Sequence, residues 1–283
     1  MKIKIFYSLT AVLLIIAGIL LEYLHQRSIG SFNYTLFYWC LFFGMIAQLI
    51  DGSLGMAYGV SASTFLMSIG ISPIHASAYV HISEIFTTGS SALSHWRFKN
   101  IDIKLFKKLV IPGVLGGLLG AYLLTRVKIP HLSLIISIYL LLMGLFILSK
   151  AFKKIKFNVS YKNNKLIPLA ATGGFVDAIG GGGWGPIVTT GLIGSGHEPR
   201  RAIGTVNTSE FFVNIGTGIS LGLLVNLIDW EALAGLLIGG LIISPFAAKL
   251  VSRMNTKILL IFVGCLITFL SLKRLYPLII KLI

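Results

Sequence analysis

The 283-residue chain is 55% hydrophobic and 12% charged. With a mean hydropathy of +0.89, that balance excludes an ordinary soluble domain. Its formal net charge of +15 does not mark a nucleic-acid partner: the Lys and Arg residues lie between apolar runs, where they orient the chain and meet anionic lipid head groups.

In chain order, the first apolar run covers residues 5–24 behind Lys2 and Lys4. Its bulky end, Leu20 to Leu24, offers no small-residue cleavage site. It therefore reads as an uncleaved transmembrane helix, residues 1–30, with a cytoplasmic N-terminus. Residues 34–50 lead into the glycine-bearing stretch from Asp51 to Gly59. Next come an apolar run around residues 79–93 that carries Glu84, a basic segment at 97–108, and runs at 105–124 and 132–148. A lysine-rich linker follows at 150–165 and should be cytoplasmic. After it, residues 166–176 lead into Asp177-Ala178-Ile179-Gly180-Gly181-Gly182-Gly183-Trp184-Gly185-Pro186. Apolar runs at 211–227, 233–250 and 258–272 complete the chain. Cys40 and Cys265 are far apart in apolar runs, without metal-ligand or redox spacing, so neither a cofactor nor a metal site is expected.

The two glycine-bearing regions are copies. Residues 51–88 align without gaps on 177–214, with twelve identities in 38 positions where about three would arise by chance. Asp51 falls on Asp177, Gly55 on Gly181, Gly59 on Gly185, Thr64 on Thr190, Pro73 on Pro199, Ser83 on Ser209 and Glu84 on Glu210. The repeats are assigned to residues 31–155 and 156–283. The basic loop at Asp102 corresponds to a loop at 226–231 with no basic residue, so the copies should point in opposite directions across the bilayer. Against this, Lys273, Arg274 and Lys281 would lie outside. The expected fold is all-α and polytopic: an inverted repeat, each half a discontinuous glycine-rich hairpin plus three transmembrane helices, with one extra N-terminal helix. The arms of the second hairpin, about 13 residues each, would reach only about 20 Å, too short to span.

Glycine tips leading into helix N-termini present backbone N–H groups and a positive dipole end, a combination suited to an anion. The tip residues Gly55, Gly59, Gly180, Gly181, Gly182, Gly183, Trp184 and Gly185 are therefore candidate substrate-binding positions, with Ser83, Thr205, Asn207 and Ser209 from the Glu helices. Close helix packing is the competing reading for glycine, and is preferred for Gly116, Gly117, Gly239 and Gly240. Four of the nine acidic residues, Asp51, Asp177, Glu84 and Glu210, lie as matched pairs in apolar sequence, where an ionisable group is expensive and marks function by default. They are candidate proton carriers, with His81 one turn before Glu84 as a partner. For the two aspartates, holding the tip amides is an equal alternative. Asp102 and Asp229 read as helix caps. A polar stripe follows Ser77, His81, Glu84, Thr88, Ser91 and His95 in one copy and Asn207, Glu210, Asn214 and Thr217 in the other.

At these residues the sequence resembles the sulfite exporter TauE/SafE family, also called toluene-sulfonate uptake permeases. The likeness rests on the tip from Asp177 to Gly185, on Gly204-Thr205-Val206-Asn207-Thr208-Ser209-Glu210, and on the first-half version from Gln48 to Gly59, and it covers about residues 34–275. The extra N-terminal helix departs from the family pattern, as does the lack of a four-glycine run in the first half. The resemblance implies movement of sulfite, a sulfonate or a related small anion across the bacterial cytoplasmic membrane, with protons as coupling ion, rather than catalysis; a homodimer is one option for the assembly. Paired intramembrane carboxylates would also suit a cation/proton exchanger.

Overall fold

A computed structural model describes residues 32–152, 165–251 and 256–281. The expected N-terminal helix and most of the lysine-rich linker lie outside these residues. Throughout the described chain the elements are helical, and their order repeats. The first set is α1 (Tyr34–Leu54), a short α2 (Tyr58–Ser68), then the long α3 (Pro73–Arg97), α4 (Ile103–Arg126) and α5 (Leu132–Lys150). The second set is α6 (Leu166–Gly180), a π-turn (Gly185–Thr189) running into α7 (Thr190–Gly194), then α8 (Pro199–Leu224), α9 (Trp230–Val251) and α10 (Thr256–Ile280).

Local chemistry sets the boundaries. Asn33 caps α1, its Oδ1 accepting from the Leu36 amide at 3.0 Å. Asp102 caps α4, accepting from Lys104 and Leu105 at 2.9 and 3.1 Å; a short side-chain oxygen at that place satisfies amides that have no partner in the helix. Proline stands at the first position of α3 and α8, where its missing N–H costs nothing. Both α1 and α6 stop at a left-handed glycine, Gly55 (φ 61°) and Gly181 (φ 65°). These are matched positions of the repeat, and each glycine donates its amide to the carbonyl of the matched aspartate, Asp51 or Asp177.

Each broken pair doubles back. In the first, the rings of Phe43 and Phe65 stack with centroids 3.6 Å apart. In the second, Leu169 lies beside Gly191, and Gly173 beside Val188. Phe43/Phe65 and Leu169/Gly191 are the same places in the two copies, so both hairpins return toward the side from which they enter.

The halves exchange partners. α1 packs on α9 and α4 on α6, while α3 meets α8 and α5 meets α10. Small residues permit the close approaches: a β-carbon on Gly174 would strike the Gly113 carbonyl, and one on Gly239 the Leu41 carbonyl. The equivalent helices α3 and α8 run antiparallel. Gly204 lies against His95 and Asn100, Asn207 bonds Ser91, Phe211 covers Gly89, and Gly218 meets Ile85 and His81. α5 and α10 do the same, with Gly144 beside Thr268 and Leu148 beside Gly264.

Four helices are long and apolar enough to cross a membrane, at Tyr34–Gly52, Ile103–Arg126, Leu132–Lys150 and Leu260–Ile280. On α4 the outward residues Ile111, Leu115 and Leu119 are more than half exposed, an arrangement suited to lipid and not to water. α3 and α8 are 25 and 26 residues long, enough for about 37 Å. Their polar stripes lower their hydropathy, and those stripes point inward: Ser77, His81, Glu84 and Thr88 are buried, as are Asn207, Glu210, Asn214 and Thr217.

Candidate functional site

The two glycine tips meet. A β-carbon on Gly59 would stand 2.7 Å from the Gly182 Cα, 3.0 Å from the Gly181 oxygen and 3.4 Å from Glu84 Oε1. On the matched Gly185 it would stand 2.7 Å from the Met56 Cα and 3.1 Å from the Gly55 oxygen. Each hairpin therefore crosses the other's bend with backbone against backbone, which no side chain larger than hydrogen permits.

Much of each tip's hydrogen-bonding capacity is used to build the tip. Trp184 N–H donates to Asp177 Oδ1 at 3.0 Å and Gly182 N–H to the Asp177 carbonyl at 3.1 Å. The Tyr58 amide meets the Asp51 carboxylate at the equivalent place. Both aspartates thus fill the scaffolding role that the sequence leaves open beside proton transfer. Tip carbonyls are capped as well: Tyr139 donates to the Gly182 oxygen at 2.6 Å, Ser77 to the Ala178 oxygen at 2.6 Å, Thr189 to the Gly55 oxygen at 3.1 Å, and Ser63 to the Gly181 oxygen. Gly180 and Gly183 lie against the Tyr139 ring and hydroxyl. Trp184 is wholly buried, and its indole N–H goes to the Val206 carbonyl at 3.3 Å; it is a wedge that fixes the hairpin on α8.

His81 partners Asp177 and not Glu84. Its Nε2 is 3.2 Å from Asp177 Oδ2, and its Nδ1 is 2.7 Å from the Ser77 carbonyl. A carbonyl only accepts, so Nδ1 carries a hydrogen, and the contact between Nε2 and Oδ2 must itself contain a proton. That proton links a helix of the first half to a hairpin of the second.

Glu84 and Glu210 are 2% and 5% exposed. Together with Asp51 and Asp177 they form one electrostatic cluster, each glutamate within range of both aspartates. Among the described residues, buried polar atoms without a geometric hydrogen-bond partner include Glu84 Oε2, Glu210 Oε2, Asn207 Oδ1, Thr217 Oγ1 and the amide of Asn214, which interacts with Glu84, and also Gln48 Oε1, Ser61 Oγ, Thr87 Oγ1, Thr268 Oγ1, Ser271 Oγ and Arg274 Nε. Buried polar atoms are rarely left so, because each costs about 1–3 kcal/mol. Five of the residues concerned, Glu84, Asn207, Glu210, Asn214 and Thr217, lie on the polar stripes of α3 and α8, which pack on each other, and Glu84 reaches the first tip at Gly59.

Ser83 reaches the first tip through Tyr58, while the remaining predicted hydroxyls are engaged with backbone groups. The Thr205 hydroxyl accepts from the Asp102 amide at 2.9 Å, so it secures the start of α4 and does not face the tips. Ser83 and Ser209 donate to the carbonyls of Tyr79 and Thr205 within their own helices, at 2.7 and 2.8 Å. Gln48, Ser61 and Thr87 are also buried with an unpartnered polar atom and carry no sequence signal, since their counterparts are Gly174, Ile187 and Val213 and a search for matched polar pairs passes over them. A cavity of about 440 Å³ opens away from the junction, at the mouth of the first hairpin, lined mainly by apolar residues such as Trp39, Phe43 and Phe65.

This fold and its buried carboxylates describe a polytopic membrane protein of the transporter class. The chain belongs to the sulfite exporter TauE/SafE family, whose profile matches residues 40–274. It is 39% identical over 244 residues, 83% of this chain and 81% of the relative, to a protein of Bacillus subtilis (strain 168) named probable membrane transporter protein YtnM. No solved structure matches it.

Proposed function

We propose that the protein is a proton-coupled secondary transporter of a small sulfur oxyanion or organosulfonate, sulfite being the simplest, working by alternating access in the cytoplasmic membrane. The observation that carries the reading is the row of buried polar groups with unpartnered atoms on the stripes of α3 and α8, with Glu84 beside the first tip. Charge supplies the coupling. Four buried carboxylates face one imidazole, and an anion can enter such a site only with protons that offset the repulsion. Glu84 and Glu210, each with a carboxylate oxygen that has no hydrogen-bond partner, are assigned those protons.

The inverted repeat belongs to the same reading. Equivalent helices that pack antiparallel are what a pseudo-twofold axis across the membrane normal requires, and doubling-back hairpins then enter from opposite sides. Turn 195–198 and the start of α4 fall on the cytoplasmic face, turn 69–72 on the other.

The test is flux in proteoliposomes. Labelled sulfite should enter against its gradient when a proton gradient is imposed, and collapse of that gradient should stop it. Proton-coupled sodium or calcium flux without sulfite flux would overturn the reading in favour of a cation exchanger, for which the unpartnered glutamate oxygens would be the ligands.

A further inference from the structure

Lys150 is the last residue of α5 and the first of the lysine-rich linker, a position where a solvated head group is the ordinary outcome. Its side chain instead turns inward. Nζ bonds the Thr190 hydroxyl of the second hairpin, lies 3.7 Å from Met56 Sδ at the first tip, and stands 4.4 Å from the Phe146 ring centroid. No carboxylate partners it among the described residues. An ammonium group has three donors, and a neutral hydroxyl, a thioether and a ring face leave its charge uncompensated. The α5 carbonyl end favours a cation wherever the side chain points, so the inward placement remains to be explained.

Position supplies the explanation. Met56 is the residue packed against Gly185 where the tips cross, and Thr190 follows Thr189, whose hydroxyl caps the Gly55 carbonyl. Lys150 therefore stands at the linker-side rim of the tip junction, one residue from the backbone contact that closes it. We infer that Lys150 is an anion-binding residue of the transport site: it meets the oxyanion group of the substrate on the cytoplasmic side and releases Thr190 when it does so. This rests on the proposed anion transport and adds the cation that the carboxylate-rich centre lacks.

The experiment measures sulfite binding to the purified full-length protein by calorimetry, alongside flux in proteoliposomes. Lys150→Gln should weaken sulfite binding about ten- to hundredfold, the loss of one charge-assisted hydrogen bond. Lys150→Arg should recover most of it, and Lys107→Gln, which removes an equal charge from α4, should bind as the wild type does. Sulfite should also protect Lys150 of the wild-type protein from acylation, read by mass spectrometry, which needs no variant to fold. Wild-type affinity in Lys150→Gln, or acylation of Lys150 unaffected by sulfite, would overturn the assignment. If sulfite binding depends on Lys150 but no proton-driven flux occurs, the residue assignment stands and the transport reading falls. Flux and binding unchanged in Lys150→Gln leave the transport reading and remove this one.

Discussion

The two glutamates and the two aspartates descend from the same pairs, yet their surroundings separate them. Asp177 is tied to the Trp184 amide and to His81, so it holds the second tip in shape. Glu84 and Glu210 each keep an oxygen without a partner. Replacing Glu84 or Glu210 with Gln should therefore reduce proton-driven sulfite flux at least about tenfold while expression holds; unchanged pH-dependent flux in both variants would refute the proton role. Asp177→Asn should instead act on the fold. Breaking a buried hydrogen-bonded pair costs about 1–3 kcal/mol, so its melting temperature in detergent should fall further than that of Asp51→Asn, whose counterpart to His81 is Asn207. Equal melting temperatures would show that the imidazole contact contributes nothing.

Among the elements, the hairpins and their flanking helices are held by backbone proximity. Gly174 of α6 sits on the Gly113 carbonyl of α4, and Gly239 of α9 on the Leu41 carbonyl of α1, so the equivalent helix pair is closely packed in each half. Gly174→Val should destabilise the protein by about 1–3 kcal/mol through overpacking, measured as a lower unfolding temperature; a variant as stable as the wild type would mean that the helices separate freely there. Gly182 behaves differently from the free tip glycine that the sequence suggests. A β-carbon on it would collide with the Val60 amide of the opposite hairpin, so Gly182→Val should push the tips apart. Loss of sulfite binding and a lower melting temperature are expected together, and loss of binding alone would mean that Gly182 faces the ligand and not the partner tip.

For the whole molecule, the antiparallel packing of α3 on α8 carries a topological prediction. With Cys40 and Cys265 replaced, single cysteines at the exposed positions Ile69 and Glu198 should react with an impermeant maleimide from opposite faces of the membrane. Labelling from one face only would exclude an inverted repeat. The sided cation at Lys150 belongs to this scale too, since it reaches from the linker end of one half to both hairpins.

The duplicated register, the membrane environment, the glycine breaks and the intramembrane carboxylates were all legible in the sequence. Hydropathy, spacing and the rarity of buried charge are properties of neighbouring residues in one chain. That register paired Gly55 with Gly181, and the structure shows both as left-handed helix caps four residues after the matched aspartates. What the tertiary structure alone decided was partnership. His81 joins Asp177 across 96 residues of chain, Thr205 turns to Asp102, Gln48, Ser61 and Thr87 are buried with polar atoms unpartnered although their counterparts are not polar, and Lys150 leaves the linker for the tips. Such pairings depend on how one half of the molecule is laid on the other, and no spacing along the sequence encodes a distance between halves.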